Sequence, residues 1–457
     1  MNVNYTDIVK KQRDFFNSNQ TKNIDFRIGQ LKKLKSLVRQ YEPELYKAIY
    51  NDYRKSEFDT YANELSFVYH EINEIIKKLH HWSRRKRVTT NLINIPARSY
   101  IVPEPLGVCL VIGAWNYPYL ISLVPSIAAI GAGNTVVIKP SEIPSATSAI
   151  MAKMINENFP PEHFVVLEGG VKETTEILEQ KFDKIFFTGS TNVGRIIYQA
   201  AAKHLTPVTL EMGGKSPAIV TRNTNLKDTA KRIIWAKFLN SGQTCITLDY
   251  VLVDETIKDE LLSYFKDYIV KFDYSFENNN YVQIINDRNF QRLMGLMDTT
   301  KIYYGGQSNA EQRFIAPTIM RDVTFDDKVM SEEIFGPILP VITYKDLDEA
   351  IQKIKSLPKP LSCYVFTNDD KVKTKILNEL SFGGGAFNDP MMHISNHHLP
   401  FGGVGESGFG SHRGAAGFKT FSHYKSILDK PFWLETKLKY PPYNSSKLAW
   451  LRRLLEM

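Results

Sequence analysis

The sequence predicts an α/β protein in which two parallel β-sheets are covered by helices. Short, nearly continuous apolar runs alternate with segments of helical periodicity across residues 108–210, and the alternation restarts at residue 217. The length of 457 residues is sufficient for about three domains. Hydrophobic residues make up 43% of the chain and charged residues 23%, a balance that excludes a disordered or collagen-like protein.

Helical periodicity also predicts two long stretches near the start, at residues 26–53 with a break at Pro43 and at residues 62–82. The first α/β series follows in the order strand 108–112, helix 120–130, strand 135–138, helix 144–158, strand 164–167, helix 173–180, strand 184–187, helix 192–203 and strand 208–210. The second comprises strand 217–220, helix 226–238, strand 250–253, helix 347–355 and strand 362–366. Because ligands of such sheets bind at the carboxyl ends of the strands, we expect functional residues in the loops that follow them.

An uncharged stretch at residues 106–138 is longer than the ~20 residues that a helix needs to cross a bilayer. Pro118, Pro125 and Gly131 interrupt it, so we predict a buried strand, a helix and a second buried strand instead of a membrane span. The first residues lack the apolar core of a signal peptide. The three cysteines are widely spaced and indicate neither a disulfide framework nor a zinc site, so we expect a cytoplasmic protein without a bound metal.

Positive charge is concentrated in two segments of a chain whose formal net charge is +8. Residues 77–98 contain seven basic and no acidic residues, and residues 419–457 contain eight basic and three acidic residues. Such patches bind nucleic acid or anionic membrane, or they form solvated faces and subunit interfaces. No nucleic-acid-binding motif accompanies them, so we expect no nucleic-acid partner.

One candidate cofactor-binding segment lies at a predicted strand-to-helix turn that contains Thr188, Gly189, Ser190 and Gly194. Glycines at such a turn let a phosphate approach backbone N–H groups at the positive end of the helix. The Gly-x-x-x-x-Gly spacing differs from the usual dinucleotide fingerprint, and a tight turn without a ligand explains it about as well. The segment alone therefore leaves both interpretations open.

Charged residues follow two other predicted strands of the first series. Lys139 and Glu142 come at the end of one strand, where they could contact a ribose or a phosphate, although the Pro-Ser sequence between them also fits a helix N-cap. Glu211 directly follows another strand. A carboxylate there is either a solvated loop residue or a group with a role in the site, such as a general base.

Cys245 is the candidate nucleophile, because its neighbours in the sequence are small and polar. Cys109 and Cys363 lie inside apolar strands and are interpreted as small buried hydrophobic residues, which is the usual role of a lone cysteine. A further segment contains Glu333 and Phe335 immediately before a Gly-Pro pair, which commonly marks a turn.

Taken in order, these segments resemble the aldehyde dehydrogenase superfamily from about residue 26 to about residue 430. The resemblance rests on eight motifs: Pro105-Leu106-Gly107-Val108, Trp115-Asn116-Tyr117-Pro118, Lys139-Pro140-Ser141-Glu142, Phe187-Thr188-Gly189-Ser190, Leu210-Glu211-Met212-Gly213-Gly214-Lys215, Gly242-Gln243-Thr244-Cys245, Glu333-Ile334-Phe335-Gly336-Pro337 and Pro400-Phe401-Gly402-Gly403. The short N-terminus, the glycine-rich residues 381–385 and the Tyr-Pro-Pro-Tyr tail are similar to the class 3 branch, which acts on fatty and aromatic aldehydes.

The resemblance implies a three-part organisation. A Rossmann-type NAD-binding domain is expected at residues 1–82 and 103–211, and a second α/β catalytic domain at residues 212–388. A small β oligomerisation arm is expected at residues 83–102 and 389–430, followed by a C-terminal tail at residues 431–457. Residues 91–102 and 418–427 match the oligomerisation strands of the family, and the class 3 branch implies a homodimer.

The resemblance also implies a mechanism. Cys245 attacks the aldehyde carbonyl to give a thiohemiacetal, whose oxyanion is bound by the Asn116 side-chain amide and the Cys245 backbone N–H. Loss of hydride to the cofactor leaves a thioester, which is hydrolysed by water that a carboxylate activates. Glu211 is the favoured base, and Glu333 is the competing candidate.

The cofactor-binding residues implied by the family are Lys139, Glu142, Thr188, Gly189, Ser190, Gly194, Glu333 and Phe335. Glu333 and Phe335 position the nicotinamide ribose in this scheme. A carboxylate at Glu142 favours NAD because it accepts from the ribose 2′-hydroxyl, and NADP is the alternative cofactor.

Two other functions are considered. CoA-acylating semialdehyde dehydrogenases of the same superfamily lack the glutamate found here at Glu211, which favours simple hydrolysis. A non-catalytic membrane-associated binding protein on the same fold would not require Cys245, Asn116, Glu211 and Glu333 together. The sequence does not select among medium or long aliphatic, aromatic and apocarotenoid aldehydes.

The last residues contain four leucines, Leu448, Leu451, Leu454 and Leu455. Trp450 and the two arginines Arg452 and Arg453 lie between them. This pattern predicts a short amphipathic helix. Its apolar side either packs against its own or the partner subunit, or it makes a weak peripheral contact with an anionic membrane at the inner face.

Overall fold

The computed structural model describes residues 4–456 and contains two large sheets of mainly parallel strands and a small antiparallel sheet. Helices cover both large sheets, so the predicted α/β fold class is confirmed. The first three residues of the expected NAD-binding domain and residue 457 of the expected tail lie outside the described residues.

The strands are β1 (Lys86–Val88), β2 (Arg98–Pro105), β3 (Val108–Ile112), β4 (Thr135–Lys139), β5 (Phe164–Val166), β6 (Lys184–Thr188), β7 (Val208–Glu211), β8 (Pro217–Val220), β9 (Tyr250–Asp254), β10 (Ile302–Tyr304), β11 (Ser308–Asn309), β12 (Phe314–Ile315), β13 (Thr318–Met320), β14 (Ile338–Tyr344), β15 (Ser362–Phe366), β16 (Gly384–Phe387), β17 (Gly408–Phe409) and β18 (Ser422–Asp429). The helices are α1 (Tyr5–Asn17), α2 (Ile24–Gln40), α3 (Glu42–Tyr53), α4 (Glu57–Thr60), α5 (Ser66–Ser83), α6 (Pro118–Ala132), α7 (Ser145–Asn156), α8 (Val171–Leu178), α9 (Thr191–Ala202), α10 (Leu226–Phe238), α11 (Lys258–Phe272), α12 (Asp287–Leu296), α13 (Leu347–Lys355), α14 (Asp370–Glu379), α15 (Gly414–Thr420) and α16 (Ser445–Leu455). Five of these, β3, β8, β15, α10 and α13, have the bounds predicted from the sequence.

The six-stranded sheet has the order β17-β7-β6-β3-β4-β5, and its strand pairs are parallel except for the edge pair β17 and β7. The chain runs outward from β3 through β4 and β5, and then returns to β6 and β7 on the other side of β3. The order therefore reverses between β3 and β6, and the crevice above such a reversal is where these sheets bind ligands.

The seven-stranded sheet has the order β10-β13-β14-β9-β8-β15-β16 and is parallel apart from β10 and β13. Apolar side chains of its central strands contribute to two separate buried clusters, one on each face. Burial on both faces explains why these strands are apolar along their whole length.

The small antiparallel sheet has the order β1-β2-β18, in which β18 pairs with β2 along its full length and forms one edge. Two stretches inside the expected arm at residues 389–430 pack elsewhere. β17 extends the six-stranded sheet through its pairing with β7, and α15 packs against α5 and α6. The arm-like part of that range is therefore confined to β18.

The uncharged residues 106–138 form β3, α6 and β4, and α6 is buried along its length except at Ile121. This agrees with the predicted strand, helix and strand. Among residues 4–456, no helix has both the length and the apolar character required to cross a bilayer.

A buried ion pair connects the N-terminal helices to the start of α6. Lys55 Nζ donates to Glu64 Oε1 at 2.7 Å, and both side chains are fully buried. Glu64 Oε2 accepts from the backbone N–H groups of Tyr119 at 2.8 Å and Leu120 at 3.3 Å. These N–H groups in the first turn of a helix have no intrahelical acceptor, so the carboxylate satisfies them. The pair therefore fixes the turn that carries Asn116.

The Lys55→Met variant is expected to lose about 3–5 kcal/mol of unfolding free energy, because it leaves Glu64 as an unpaired buried charge. Chemical denaturation measures this loss. The Lys55→Met/Glu64→Gln double variant is expected to recover part of it, because a neutral amide oxygen still accepts from the Tyr119 N–H. A loss below ~1 kcal/mol in the single variant, typical of an exposed pair, would contradict the assignment.

Candidate active site

Predicted functional residues of the first sheet lie at the carboxyl ends of neighbouring strands. Lys139 is the last residue of β4, Thr188 the last of β6 and Glu211 the last of β7. Thr188 and Glu211 are paired in register, and the Gly189 N–H donates to the Glu211 carbonyl at 3.0 Å. The structure therefore brings these residues to one edge of the sheet, beside the crevice between β3 and β6.

The N-terminus of α9 forms one wall of this crevice. Ser190 caps the helix, since its hydroxyl accepts from the Val193 N–H at 3.4 Å. Gly194 lies so close to Met212 that a methyl group at this position would overlap the Met212 sulfur. The Thr188 hydroxyl is buried and has no hydrogen-bond partner within residues 4–456. A helix start of this kind with a buried free hydroxyl fits the phosphate groups of a dinucleotide.

Lys139 and Glu142 lie on the other side of the crevice. Lys139 is buried, and its Nζ donates to the Pro140 carbonyl at 2.6 Å. Burial lowers the pKa of Lys139, and the nearby Glu142 carboxylate opposes this shift. Glu142 itself is exposed, in the loop between β4 and α7. One cationic and one anionic group at this position fit the hydroxyl groups of a ribose.

Hydrogen bonds connect the Asn116 turn to the segment that precedes Cys245. Asn116 Nδ2 donates to the Gln243 carbonyl at 3.1 Å. Asn240 Nδ2 donates to the same carbonyl at 3.0 Å and to the Asn116 carbonyl at 3.1 Å. The Tyr117 hydroxyl lies 2.7 Å from Thr244 Oγ1. These bonds hold the Asn116 amide beside the Cys245 segment, and they use only one of the two N–H groups of that amide.

The environment of Cys245 disfavours the thiolate. Burial raises the pKa of the Cys245 thiol to about 12, and the Glu333 and Glu211 carboxylates add to this increase. The thiol is therefore protonated near neutral pH in the absence of a ligand, and its reaction requires a base that removes the proton.

Glu211 is almost completely buried, with 3% of its surface exposed, so its orientation depends on its neighbours. The Nε2 atom of His412 lies 3.0 Å from Glu211 Oε1. His412 is itself buried and packs edge-on against Phe186. The carboxylate therefore lies beside His412 at the end of β7, close enough to Cys245 for its charge to raise the pKa of the thiol.

Glu333 lies above Gly213, where a methyl group would overlap the carboxylate. Burial raises the pKa of Glu333 to about 8, and the charge of Asp249 adds to this increase. The neighbouring Phe335 has a left-handed backbone with φ near 50°, and its ring packs edge-on against Trp115 at 5.3 Å between centroids. Residues 333–335 therefore contact the Asn116 turn across the crevice.

Three charged residues fix the backbone of this segment. Asp249 Oδ1 accepts from the Ile334 N–H at 2.9 Å, and Asp249 Oδ2 accepts from Lys215. Lys215 also donates to the Glu332 carbonyl at 2.8 Å, and Arg292 donates to the Ile334 carbonyl at 2.8 Å. The position of Glu333 and Phe335 thus depends on side chains from three separate parts of the chain.

The sequence alone predicts no role in the site for Asp249, Lys215, Arg292, His412 or Arg413. Lys215 ends one of the motifs quoted above, and Asp249 is the charged residue that immediately precedes a buried strand, so both had a detectable signal. The other three become recognisable only through contacts with distant residues. Within the described part of the chain, no group of three or more His, Cys, Asp or Glu side chains could bind a metal ion.

Comparisons with known proteins agree on one family. The model of the aldehyde dehydrogenase family matches residues 3–427. The chain is 45% identical to 4,4'-diaponeurosporen-aldehyde dehydrogenase of Staphylococcus aureus, over 94% of this chain and 95% of that protein. It is 44% identical to the dimeric NADP-preferring aldehyde dehydrogenase of Canis lupus familiaris, over 96% of this chain and 97% of that protein. A solved structure, the substrate-bound state of Staphylococcus aureus AldH, superposes with a TM-score of 0.97 at 43% identity and full coverage of both chains.

Alkylation of Cys245 by iodoacetamide in the protein without ligands is expected to accelerate about tenfold per pH unit between pH 7 and 9. A thiol with a pKa of about 12 gains thiolate in that proportion. Glu333→Gln is expected to accelerate the reaction above pH 8, where the wild-type carboxylate is ionised and opposes the thiolate.

Mass spectrometry of the labelled peptide measures this rate, and Cys245→Ala is the control that separates it from labelling of Cys109 and Cys363. A rate that levels off below pH 8 would contradict the prediction.

Proposed function

The chain belongs to the aldehyde dehydrogenase family, and on that premise we propose that it oxidises an aldehyde to the carboxylic acid, with Cys245 as the nucleophile and a nicotinamide dinucleotide as the oxidant. This proposal rests on one hydrogen bond, which the Asn116 side-chain amide donates to the Gln243 carbonyl, two residues before Cys245. The same crevice contains the Cys245 thiol, the Asn116 amide, the buried carboxyl group of Glu211 and the partly exposed carboxyl group of Glu333.

In the proposed first step, the Cys245 sulfur attacks the carbonyl carbon while a carboxylate removes the thiol proton. The carbonyl oxygen becomes an oxyanion that accepts from the free N–H of Asn116 and from the Cys245 backbone N–H. Each fixed donor of this kind contributes about 3 kcal/mol to the stabilisation of a transition state. The product of this step is a thiohemiacetal.

The residues proposed to bind the cofactor lie at the carboxyl-end edge of the six-stranded sheet and in residues 333–335. Residues 188–190 and Gly194 would bind its phosphates, Lys139 and Glu142 one ribose, and Glu333 with Phe335 the ribose next to the nicotinamide. The chemistry that such a cofactor supplies when bound is acceptance of a hydride from the aldehyde carbon. The carboxylate of Glu142 favours NAD, and NADP is the alternative, since one relative is named NADP-preferring.

In the proposed last step, water attacks the Cys245 thioester, its proton passes to a carboxylate, and the Cys245 sulfur leaves to release the acid. Glu211 is the proposed base. The pKa of about 8 at Glu333 favours Glu211, because only a minor fraction of the Glu333 carboxyl group is ionised at pH 7. Glu211 Oε1 lies 3.0 Å from His412 Nε2 but accepts no hydrogen bond within residues 4–456, and a buried acceptor of this kind supports the assignment independently. Glu211 also favours hydrolysis over acyl transfer to CoA.

We further propose a homodimer in a reducing cytoplasm, to which the three free cysteines are suited. The edge strand β18 is mostly exposed, and large apolar side chains remain exposed after it, with Phe432 fully exposed and Trp433 74% exposed. Such an edge pairs readily with a second chain. The exposed side chains of α16, including Trp450 at 61%, are proposed to pack against the partner subunit, with an anionic membrane as the alternative surface.

Cys245→Ala is expected to abolish aldehyde oxidation while cofactor binding persists, because the thiol reacts covalently but contributes nothing to the phosphate and ribose sites. Steady-state cofactor reduction and equilibrium binding of NAD measure the two properties. Residual turnover of more than a few per cent of wild type would refute the assigned nucleophile.

Glu211→Gln is expected to give one burst of reduced cofactor followed by a stalled thioester, because acylation is completed and hydrolysis is not. Rapid-mixing absorbance and intact-protein mass spectrometry detect the burst and the acyl adduct. Glu333→Gln is the matched control, and a burst in that variant alone would reverse the two roles. Formation of acyl-CoA in place of free acid by the wild type would favour the CoA-dependent alternative.

Light scattering is expected to give twice the chain mass of 52.3 kDa. Removal of residues 440–457 is expected to weaken this dimer if α16 packs on the partner subunit. Co-sedimentation of the full chain, but not of the truncated chain, with anionic vesicles at low salt would assign α16 to the membrane instead.

A further inference from the structure

A groove follows one face of α5 outward from the candidate active site. It consists of two adjoining cavities of about 410 and 670 Å³, which share Arg413 and His397 in their walls. The α5 side of the groove is formed by Phe67, Glu71, Glu74 and Lys78, at a spacing of three or four residues. Residues at this spacing lie on the same face of a helix. The two cavities therefore adjoin along this helix, and they are called the inner and outer halves of the groove.

The inner half is mainly apolar and adjoins the apolar cluster that contains Cys245. Its lining includes Phe67, Trp235, Leu239, Met391 and Ile394. Three of these side chains belong to the same apolar cluster as Cys245, namely Leu239, Met391 and Ile394. An aldehyde that reaches Cys245 through this half of the groove would place an apolar chain against these residues.

Arg413 lies at the junction of the two halves. Its side chain is almost completely buried, and its guanidinium lies over the Phe67 ring at 4.9 Å from the centroid. Burial lowers the pKa of Arg413, and the carboxylates of Glu71 and Glu211 and the Cys245 thiol oppose this shift. Its Nε has no hydrogen-bond acceptor among residues 4–456. The charge at the junction is therefore balanced by the two carboxylates, while part of the guanidinium still lacks a partner.

The outer half has an excess of positive charge that no buried carboxylate balances. Lys78, His81, His398 and Lys419 line it together with a single acidic side chain, Glu74. Glu74 lies 3.7 Å from His397, and it forms no ion pair with Lys78 or Lys419 within the described residues. This half of the groove suits an anionic group.

We propose that the groove binds the chain of a long aldehyde whose far end carries a carboxylate, and that Lys78 and Lys419 bind this carboxylate. The inference rests on the proposed aldehyde oxidation, because it takes Cys245 as the point at which the aldehyde reacts. Phe67 and Lys78 are eleven residues apart on α5, or about 16 Å at 1.5 Å per residue. An extended chain advances about 1.2 Å per bond, so it needs at least about 14 bonds, because this distance omits the path from Phe67 to Cys245.

The test compares kcat/KM for 16-oxohexadecanoate and hexadecanal, two aldehydes that differ at the far end only. The wild type is expected to prefer the oxo acid by about tenfold at low salt, and the preference is expected to decrease as salt screens the lysines. For 4-oxobutanoate and butanal, which are too short to reach Lys78, no such preference is expected.

The Lys78→Gln/Lys419→Gln variant is expected to reduce the tenfold preference to about one while turnover of hexadecanal persists. Lys153→Gln/Lys371→Gln is the matched control, because it removes the same charge from two exposed lysines that form no ion pair within the described residues. This control is expected to retain the preference.

Equal kcat/KM values for the two long aldehydes in the wild type would overturn the proposal, as would a preference that the Lys78 and Lys419 substitutions leave unchanged. Faster oxidation of hexadecanal from anionic vesicles, without a preference for the oxo acid in solution, would assign the basic mouth to a membrane surface.

A binding measurement separates this inference from the proposed function. Titration of Cys245→Ala with 16-hydroxyhexadecanoate and with hexadecan-1-ol, which differ only in the carboxylate, is expected to show about tenfold tighter binding of the hydroxy acid, through the same two lysines. If no aldehyde of either length is oxidised but the hydroxy acid binds in this way, the proposed reaction fails and the groove assignment stands. If aldehydes are oxidised and the two ligands bind equally, the groove assignment fails alone.

Discussion

Pairing of buried charges is the interaction on which the candidate active site depends. Glu64 neutralises Lys55 and also accepts from N–H groups at the start of α6, so it holds the turn that presents Asn116. Asp249 does the same for the segment around Glu333, because it accepts from Lys215 and from the Ile334 N–H. A buried carboxylate is tolerated only when cations and N–H groups satisfy it. Each carboxylate therefore stabilises the loop conformation whose N–H groups it accepts from. The two loops meet where Trp115 contacts Phe335.

The two carboxyl groups near Cys245, those of Glu211 and Glu333, have different environments. Both oppose ionisation of the thiol, but they differ in what surrounds them. Glu333 is close to Asp249, and like charge together with burial keeps it protonated at neutral pH. Glu211 lies beside His412 at the end of β7, next to the residues proposed to bind phosphate. A protonated Glu333 can donate a hydrogen bond to a ribose hydroxyl, which is consistent with its proposed place beside the cofactor.

Much of the fold and part of the site could be predicted from the sequence. The central strands are apolar on both faces, so β3, β8 and β15 were predicted with their observed bounds. Parallel strands end at one edge, so the proximity of Lys139, Thr188 and Glu211 followed from their places after predicted strands. The short strands β10 to β13 alternate little and carry no such signal.

The positions of other groups in the site could not be predicted because their partners are distant in the sequence. The Asp249 carboxylate and the Ile334 N–H are 85 residues apart, and Gly414, whose N–H binds Glu71, is 343 residues from it.

The type of cation differs between the junction and the mouth of the groove, and the difference agrees with the chemistry of the two groups. Guanidinium is more weakly hydrated than ammonium and stacks on flat or apolar surfaces, so Arg413 can border a chain at the buried junction. Lys78 is partly exposed and Lys419 is exposed, so both ammonium groups keep the contact with water that is costly for such a group to lose. This order of charges matches a ligand that is apolar next to Arg413 and ionic at the mouth.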